Sequence, residues 1–299
     1  MKKKRLNLQT LPLHLMIMSP IILLLAFSYF PMAGIIMAFQ DYQPGLGFLK
    51  SKWVGFENFK TVFAMPGVGQ VLWNTIFIAF LKIVSNLVIP VTFALLLNEV
   101  RNIWFKKAVQ TITYLPHFLS WVVFAGILTD FLAPAGPVNY VIKALGGQSI
   151  YFLGNETLFP YTIVITDVWK NFGFNTIVYL AAITGIDPMQ YEASSIDGAG
   201  RWKQTLHVTL PGIGMFIALM TILSIGNILN AGFDQIFNLY SPMVYKTGDI
   251  IDTLVYRLGI VQSQYSISTA VGLFKSVVST ILIVTSYKLA DKYAGYRVF

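Results

Sequence analysis

The chain of 299 residues contains no cysteine, which excludes a disulfide framework and any thiolate metal site. Histidine is nearly as scarce. His14, His117 and His207 lie far apart and none sits in a ligand motif, so neither a zinc cage nor an intramembrane enzyme built on clustered ligands is supported. There is no Gly-Lys pair, hence no G-x-x-x-x-G-K-[ST] loop to cradle nucleotide phosphates. Charge is the largest deficit: 11% of residues are charged against 56% hydrophobic, too polar-poor for a soluble globular domain. The net charge of +8 is not gathered into a basic patch with interleaved aromatics, so nucleic acid is not the expected partner. The basic residues flank hydrophobic runs instead, and the implied partner is the lipid bilayer.

Six stretches are long and apolar enough to cross about 30 Å of hydrocarbon, which takes roughly 20 helical residues each. They run from Leu13 to Phe39, Val71 to Leu97, Val109 to Leu132, Pro160 to Ile183, Gly212 to Ala231 and Thr269 to Ala290. The fold class expected is an all-α integral membrane protein with six transmembrane helices, built as one domain over residues 1–299. The first run follows Met-Lys-Lys-Lys-Arg but is longer than the apolar core of a secretory signal and lacks a small-x-small cleavage site, so it reads as a retained span.

Basic residues in the connections give an orientation. One side holds twelve: Lys2, Lys3, Lys4, Arg5, Arg101, Lys106, Lys107, Arg201, Lys203, Lys288, Lys292 and Arg297. The other holds six: Lys50, Lys52, Lys60, Lys143, Lys246 and Arg257. By the positive-inside rule both termini are expected in the cytoplasm. The long connections at 40–70, 133–159 and 232–268 then lie outside. Within the second of these, Asn155-Glu156-Thr157 fits a glycosylation acceptor and is read as a chance match.

Ionisable and amide residues recur at helical spacing inside the spans, where each is expensive unless it faces protein or water. The fourth span carries Asp167, Lys170, Asn171, Asn175 and Tyr179 on one face, and the fifth carries Ser224, Asn227, Asn230 and Asp234. Asn74, Lys82, Ser85 and Asn86 in the second span and Lys275, Ser276, Ser279 and Thr280 in the sixth add two more stripes. Asp167 and Lys170, three apart on one helix, can neutralise each other, and Lys82 and Lys275 can snorkel to an interface. Four stripes together imply a polar path. Amides that both donate and accept, with Trp169, Phe172, Phe174 and Tyr179 nearby, suit a neutral polyhydroxylated ligand better than an ion.

Between the fourth and fifth spans, residues 187–211 form a polar loop. Asp187 can cap a helix with Pro188 in its first turn, running to about Asp197. Gly198 and Gly200 offer positions where a positive φ costs little, and a second short helix is expected over Trp202 to Thr209 before Pro211 opens the next span. Glu192-Ala193-Ser194, three residues, Gly198, nine residues, Val208, one residue and Leu210-Pro211 match a known loop signature in spacing throughout. The chain resembles the permease subunits of bacterial ABC importers, departing only in Ser194, where the family prefers Ala. Leu11 to Pro20, Tyr29-Phe30-Pro31, Val54-Gly55-Phe56-Glu57-Asn58-Phe59 and Tyr114-Leu115-Pro116 extend the likeness to carbohydrate importers, specifically the lipoprotein or polysaccharide subgroup.

That resemblance implies a subunit without enzymatic activity that works with a second related permease, two ATP-binding subunits carrying ATP and Mg, and an external solute-binding protein, importing a sugar, oligosaccharide or polysaccharide fragment. It implies no cofactor or metal on this chain. It further implies that Glu192, Ala193, Ser194, Asp197, Gly198, Ala199, Leu210 and Pro211 couple the chain to the ATPase. The path residues are Asp167, Trp169, Lys170, Asn171, Asn175, Tyr179, Asn227, Asn230 and Asp234. The intramembrane Asp and Lys residues leave an ion-coupled secondary transporter of a small polar solute as the alternative.

Overall fold

The computed structural model describes residues 11–294 and their side chains over 13–292, so Lys2, Lys3, Lys4, Arg5 and Arg297 of the orientation count lie outside them. Contacts divide the chain into two compact units: residues up to Ala64 with Arg257–Leu273, and Met65–Tyr256 with the residues from Phe274 onward.

The smaller unit opens with an apolar helix over Leu13–Phe39. It is α1 (Leu11–Leu24), continued by a π turn at Leu25–Tyr29 and a 3-10 stretch at Phe30–Phe39. Pro20 and Pro31 each withdraw an N–H from the ladder, and the helical pitch changes around the second. Met16, Phe27, Phe30 and most of their neighbours are exposed, which suits hydrocarbon and not water.

A small hydrogen-bonded cap follows the helix. Strand β1 (Gln40–Asp41) pairs antiparallel with β2 (Lys52–Trp53), Gln40 opposite Trp53 and Asp41 opposite Lys52, with the single-turn α2 (Gly47–Lys50) between them and α3 (Glu57–Ala64) after. Asn58 donates from Nδ2 to the carbonyls of Ala38 and Gln40, both at 2.9 Å, while the N–H groups of Val54 and Gly55 reach the Phe39 carbonyl. These bonds satisfy carbonyls that every helix end leaves open. They give the G-F-E-N-F segment a structural task.

The larger unit is built on α4 (Val68–Glu99) and α8 (Phe159–Thr184), whose contact forms its central seam. Between them lie α5 (Ile103–Tyr114), α6 (Trp121–Leu132) and α7 (Pro137–Ala144). Asn102 and Ser120 cap α5 and α6 by accepting backbone N–H groups. The run Val109 to Leu132 is thus not one helix. It breaks at Leu115–Ser120, where Pro116 has no N–H to give and Ser120 starts a new cap. At Gly173, α8 approaches α5 so closely that a Cβ would fall 2.3 Å from the Thr113 carbonyl oxygen.

In the connection before α8, Asn155 accepts the N–H groups of Thr157 and Leu158, so the chance acceptor pattern is a helix-entry turn. Asn139, fully buried, holds that connection through the carbonyls of Ala133 and Ile150 and the Ile150 N–H.

After α8 come α9 (Pro188–Ile196) and α10 (Arg201–Gly212), the latter containing a π turn at Thr205–Thr209. Pro211 lies inside the last turn of α10 and does not open a new helix. A 54° bend separates α10 from α11 (Gly214–Gly226). The expected fifth run to Ala231 therefore stops short, at Gly226. Short α12 (Phe233–Leu239), α13 (Tyr245–Gly248) and α14 (Ile251–Tyr256) follow. The last helix, α15 (Tyr265–Ala294), contributes its first residues to the smaller unit and the rest to the larger.

Four helical stretches among the described residues are long and apolar enough to cross a membrane, Leu13–Phe39, Val68–Glu99, Trp121–Ala144 (α6 with α7) and Tyr265–Lys292, and the bent α10–α11 pair makes a fifth when it is counted as one span. Helix α8, at 26 residues about 39 Å long, has the length but carries a polar stripe.

Candidate functional site

The polar stripes of α4 and α8 meet along the seam of the larger unit. Asn86 stands at the centre: its Nδ2 donates to Asp167 Oδ2 at 2.8 Å, and its Oδ1 accepts from Asn175 Nδ2 at 3.2 Å. Asp167 also pairs with Lys82, Nζ to Oδ1 at 3.3 Å. One turn of α4 separates Lys82 from Asn86, and two turns of α8 separate Asp167 from Asn175, so the four side chains form a continuous chain between the helices.

Lys82 does not snorkel. It is buried, donates to the Ala231 carbonyl at 2.7 Å and to Gln235 Oε1, and thereby ties α4 to the irregular segment ahead of α12. Gln235 is fully buried and donates to the Ile163 carbonyl and Thr166 Oγ1 of α8. A buried ammonium is tolerated because every proton finds an oxygen and Asp167 balances its charge.

Lys170 turns the other way from Asp167, so the pairing expected within α8 gives way to two separate arrangements. Its ammonium donates to the carbonyls of Pro116, His117 and Leu119 at 3.1, 2.7 and 2.7 Å and lies over the rings of Trp121 and Phe124. These carbonyls belong to the break between α5 and α6, where the Pro116 carbonyl also accepts the Leu119 N–H. Asn171 Oδ1 lies 3.0 Å from His117 Nδ1, and the His117 ring stacks on Phe174 at 3.9 Å.

A polar cavity of about 170 Å³ opens beside this chain, lined by Asn86, Asn175, Tyr179 and Ser224 with Ile83, Leu87, Val178 and Met220. Trp169 is elsewhere. It packs against Phe124 and Phe131 and lines a larger apolar cavity of about 400 Å³. Asn227, Asn230 and Asp234 are exposed around the end of α11 and the start of α12. Lys275 pairs with Asp252 rather than reaching an interface. Gln235 was missed in the sequence: a lone amide between Asp234 and Ile236 carries no periodic signal. The one clue is Gly232 three residues earlier, a glycine that interrupts the helical pattern and adopts a φ of +94°.

The loop of residues 187–211 is braced from within. Asp187 Oδ1 accepts the Met189 N–H and caps α9. At the other end the N–H of Gly198 bonds the Ser195 carbonyl and that of Ala199 bonds the Ser194 carbonyl, a Schellman stop with Gly198 at φ +77°. Gly200 has an ordinary φ of −71° and serves as the cap of α10, so the positive φ expected at both glycines occurs at one. Gln204 Nε2 donates to Ser194 Oγ at 3.2 Å and Ser195 Oγ at 2.8 Å, and Tyr191 Oη meets Thr209 Oγ1 at 3.0 Å, locking α9 against α10. Glu192, Ala193, Asp197, Gly198 and Pro211 are exposed, whereas Ser194, Ala199 and Leu210 are half-buried. Met189, Ile196 and Trp202 are also strongly exposed, so the loop presents an apolar face beside the Glu192 carboxylate.

Long apolar helices, a seam of buried polar side chains and a rigid polar loop bearing an unpartnered apolar face together define a multi-pass membrane permease. The chain belongs to the binding-protein-dependent transport system inner membrane components, whose family model matches residues 87–294. It is a permease subunit of an ABC importer. It is 43% identical to Protein LplB of Bacillus subtilis (strain 168) over 94% of this chain and 89% of that one. It is also 43% identical to the polygalacturonan/rhamnogalacturonan transport system permease protein YteP of the same organism, over 100% and 94%. Among solved structures it resembles a chain of a bacterial ABC transporter involved in import of the acidic polysaccharide alginate, with a TM-score of 0.87 at 38% identity, covering 95% of this chain and 96% of that one. A second alginate transporter structure, in complex with an alginate pentasaccharide-bound periplasmic protein, matches with a TM-score of 0.88 at 37% identity over 97% of both chains.

Proposed function

We propose that this chain forms half of the translocation path for an oligosaccharide or polysaccharide fragment, in an importer driven by ATP hydrolysed on separate subunits. The observation that carries this reading is the likeness, along nearly the whole chain, to the permease of an importer for an acidic polysaccharide. The names of the similar permeases, one for polygalacturonan and rhamnogalacturonan, point to the same chemical class of cargo. The acidic character of both named cargoes shifts the expectation from a neutral sugar toward one bearing carboxylates.

In this reading six spans cross the bilayer with both termini in the cytoplasm, the break between α5 and α6 lying within the third and the polar α8 supplying the fourth. The cavity beside Asn86, Asn175, Tyr179 and Ser224 is part of the path, since amides and a phenol suit sugar hydroxyls. Asp167 is engaged by Lys82 and Asn86, which argues against its acting as a carrier of a coupling ion. The α9–α10 pair docks in an ATP-binding subunit through Glu192, Ala193, Ser194, Asp197, Gly198 and Ala199. Leu210 and Pro211 pass its movement to the bend at Ile213. A second permease, two ATP-binding subunits with ATP and Mg, and an external solute-binding protein complete the machine.

The test is Glu192→Lys in the assembled importer. Uptake of labelled oligosaccharide should fall at least tenfold while the chain still inserts in the membrane and purifies folded. Normal uptake in this variant would contradict the docking role.

A further inference from the structure

The exposed aromatic face of the smaller unit's cap has no task in the transport reading above. Phe39, the last residue of the first span, stacks on Trp53 at 5.7 Å and meets Phe56 edge-on at 5.5 Å and Phe59 at 5.5 Å. In a packed core such a cluster would be hidden. Here Leu49 is 100% exposed, Phe56 68% and Trp53 60%, with Leu46 and Phe48 also open.

The exposure is not slack in the chain. Gln40 Nε2 donates to the Phe48 carbonyl at 2.9 Å, Ser51 Oγ donates to the Gly47 carbonyl and accepts the Gln43 N–H, and Asn58 clamps the span's end. Bonds of this kind hold the apolar side chains outward on a fixed frame.

We infer that this cap is a membrane anchor, lying in the lipid headgroup region at the end of the first span, with Leu49, Trp53 and Phe56 inserted and the lysines beside them at the phosphates. Continuity of surface selects lipid as the occupant. The exposed aromatics begin where the lipid-facing side chains of Leu13–Phe39 end, and the two are joined by the Phe39–Trp53 stack. Length agrees: 27 helical residues span about 40 Å at roughly 1.5 Å each, and more where the last ten are 3-10, so the helix overruns the hydrocarbon by about 10 Å or more and leaves room for Phe39 at the interface. Composition agrees too, because Trp and other aromatics settle at headgroup level and Lys50, Lys52 and Lys60, all exposed, can reach lipid phosphates from stems lying along the apolar surface. A cap fixed in this way holds the outer end of the first span at a set depth. The inference depends on that span crossing the bilayer and not on the identity of the cargo.

The absence of cysteine makes a direct test possible, since each introduced cysteine is the sole labelling site on this chain, and the chain is labelled before assembly with partner subunits whose thiols are blocked. Leu49→Cys and Phe56→Cys would be nitroxide-labelled in the full importer reconstituted in lipid nanodiscs. Collision with oxygen would be compared with collision with a water-soluble nickel chelate. Phe27→Cys on the exposed face of the span serves as the lipid reference and Gln148→Cys in an exposed loop as the water reference. Both cap labels should favour oxygen over the chelate by at least twofold relative to Gln148→Cys, with or without the external binding protein. Chelate access equal to that of Gln148→Cys would overturn the inference. Protection appearing only on addition of the binding protein would also overturn it, assigning the surface to that protein instead.

Discussion

Single side chains decide how charge is carried inside this molecule. Lys82 serves three oxygens on two other segments, whereas Asp167 has Asn86 as a second partner that survives loss of the lysine charge. The two halves of the pair are therefore unequal. Lys82→Met strands a carboxylate and the Ala231 carbonyl and should destabilise the folded protein by about 3–5 kcal/mol, the usual cost of breaking a buried pair from one side. Asp167→Asn leaves one oxygen where Lys82 and Asn86 now use two and removes the balancing charge, but the Ala231 carbonyl and Gln235 still accept from Lys82, so it should cost less. Thermal unfolding in detergent, followed by size-exclusion chromatography, would rank them. Equal midpoints would mean that Lys82 does no more than neutralise Asp167.

The same residues mark what the sequence could reveal. Periodicity grouped Asp167 with Asn175 and Lys82 with Asn86 on polar faces, because a polar atom in a lipid-length helix has few alternatives, but it left Lys82 free to snorkel to an interface. It could not choose partners. Asp167 and Lys170 are close along α8, yet the carbonyls of Pro116, His117 and Leu119 draw Lys170 away, and they are gathered there only because the run Val109 to Leu132 breaks. A break of this kind depends on tertiary support, which a hydropathy pattern does not encode.

At the scale of elements, the α9–α10 pair is braced as one rigid piece. Its corner depends on Gly198 for conformation and not for space, since a Cβ there would meet nothing within 4 Å while φ is +77°. Gly200, two residues on, has open space and an ordinary φ. Gly198→Val should strain the corner by about 1–2 kcal/mol and reduce stimulation of the partner ATPase severalfold, whereas Gly200→Ser, which keeps a favoured cap residue, should be close to neutral. ATP hydrolysis by the assembled importer, measured with saturating binding protein, distinguishes the two. Parallel losses would show that the corner needs small residues at both positions, not a left-handed one. Spacing revealed the cap at Asp187 and the stop at Gly198. The brace from Gln204 to Ser194 and Ser195 did not show, because it joins faces whose register is set only once the corner is made.

For the whole molecule, scarcity is as informative as any motif. With 11% charged residues, no cysteine and no phosphate loop, the chain has little besides helices for the bilayer and a loop for a partner. In the proposed reading its energy comes from separate ATP-binding subunits. The most direct measurement is uptake of labelled acidic oligosaccharides into proteoliposomes carrying the complete importer. Binding protein would be supplied outside, and ATP or an ion gradient in turn as the energy source. Uptake should occur with ATP and binding protein together and should not rise above background with an ion gradient alone. Accumulation by this chain alone, driven by an ion gradient without ATP-binding subunits, would contradict it.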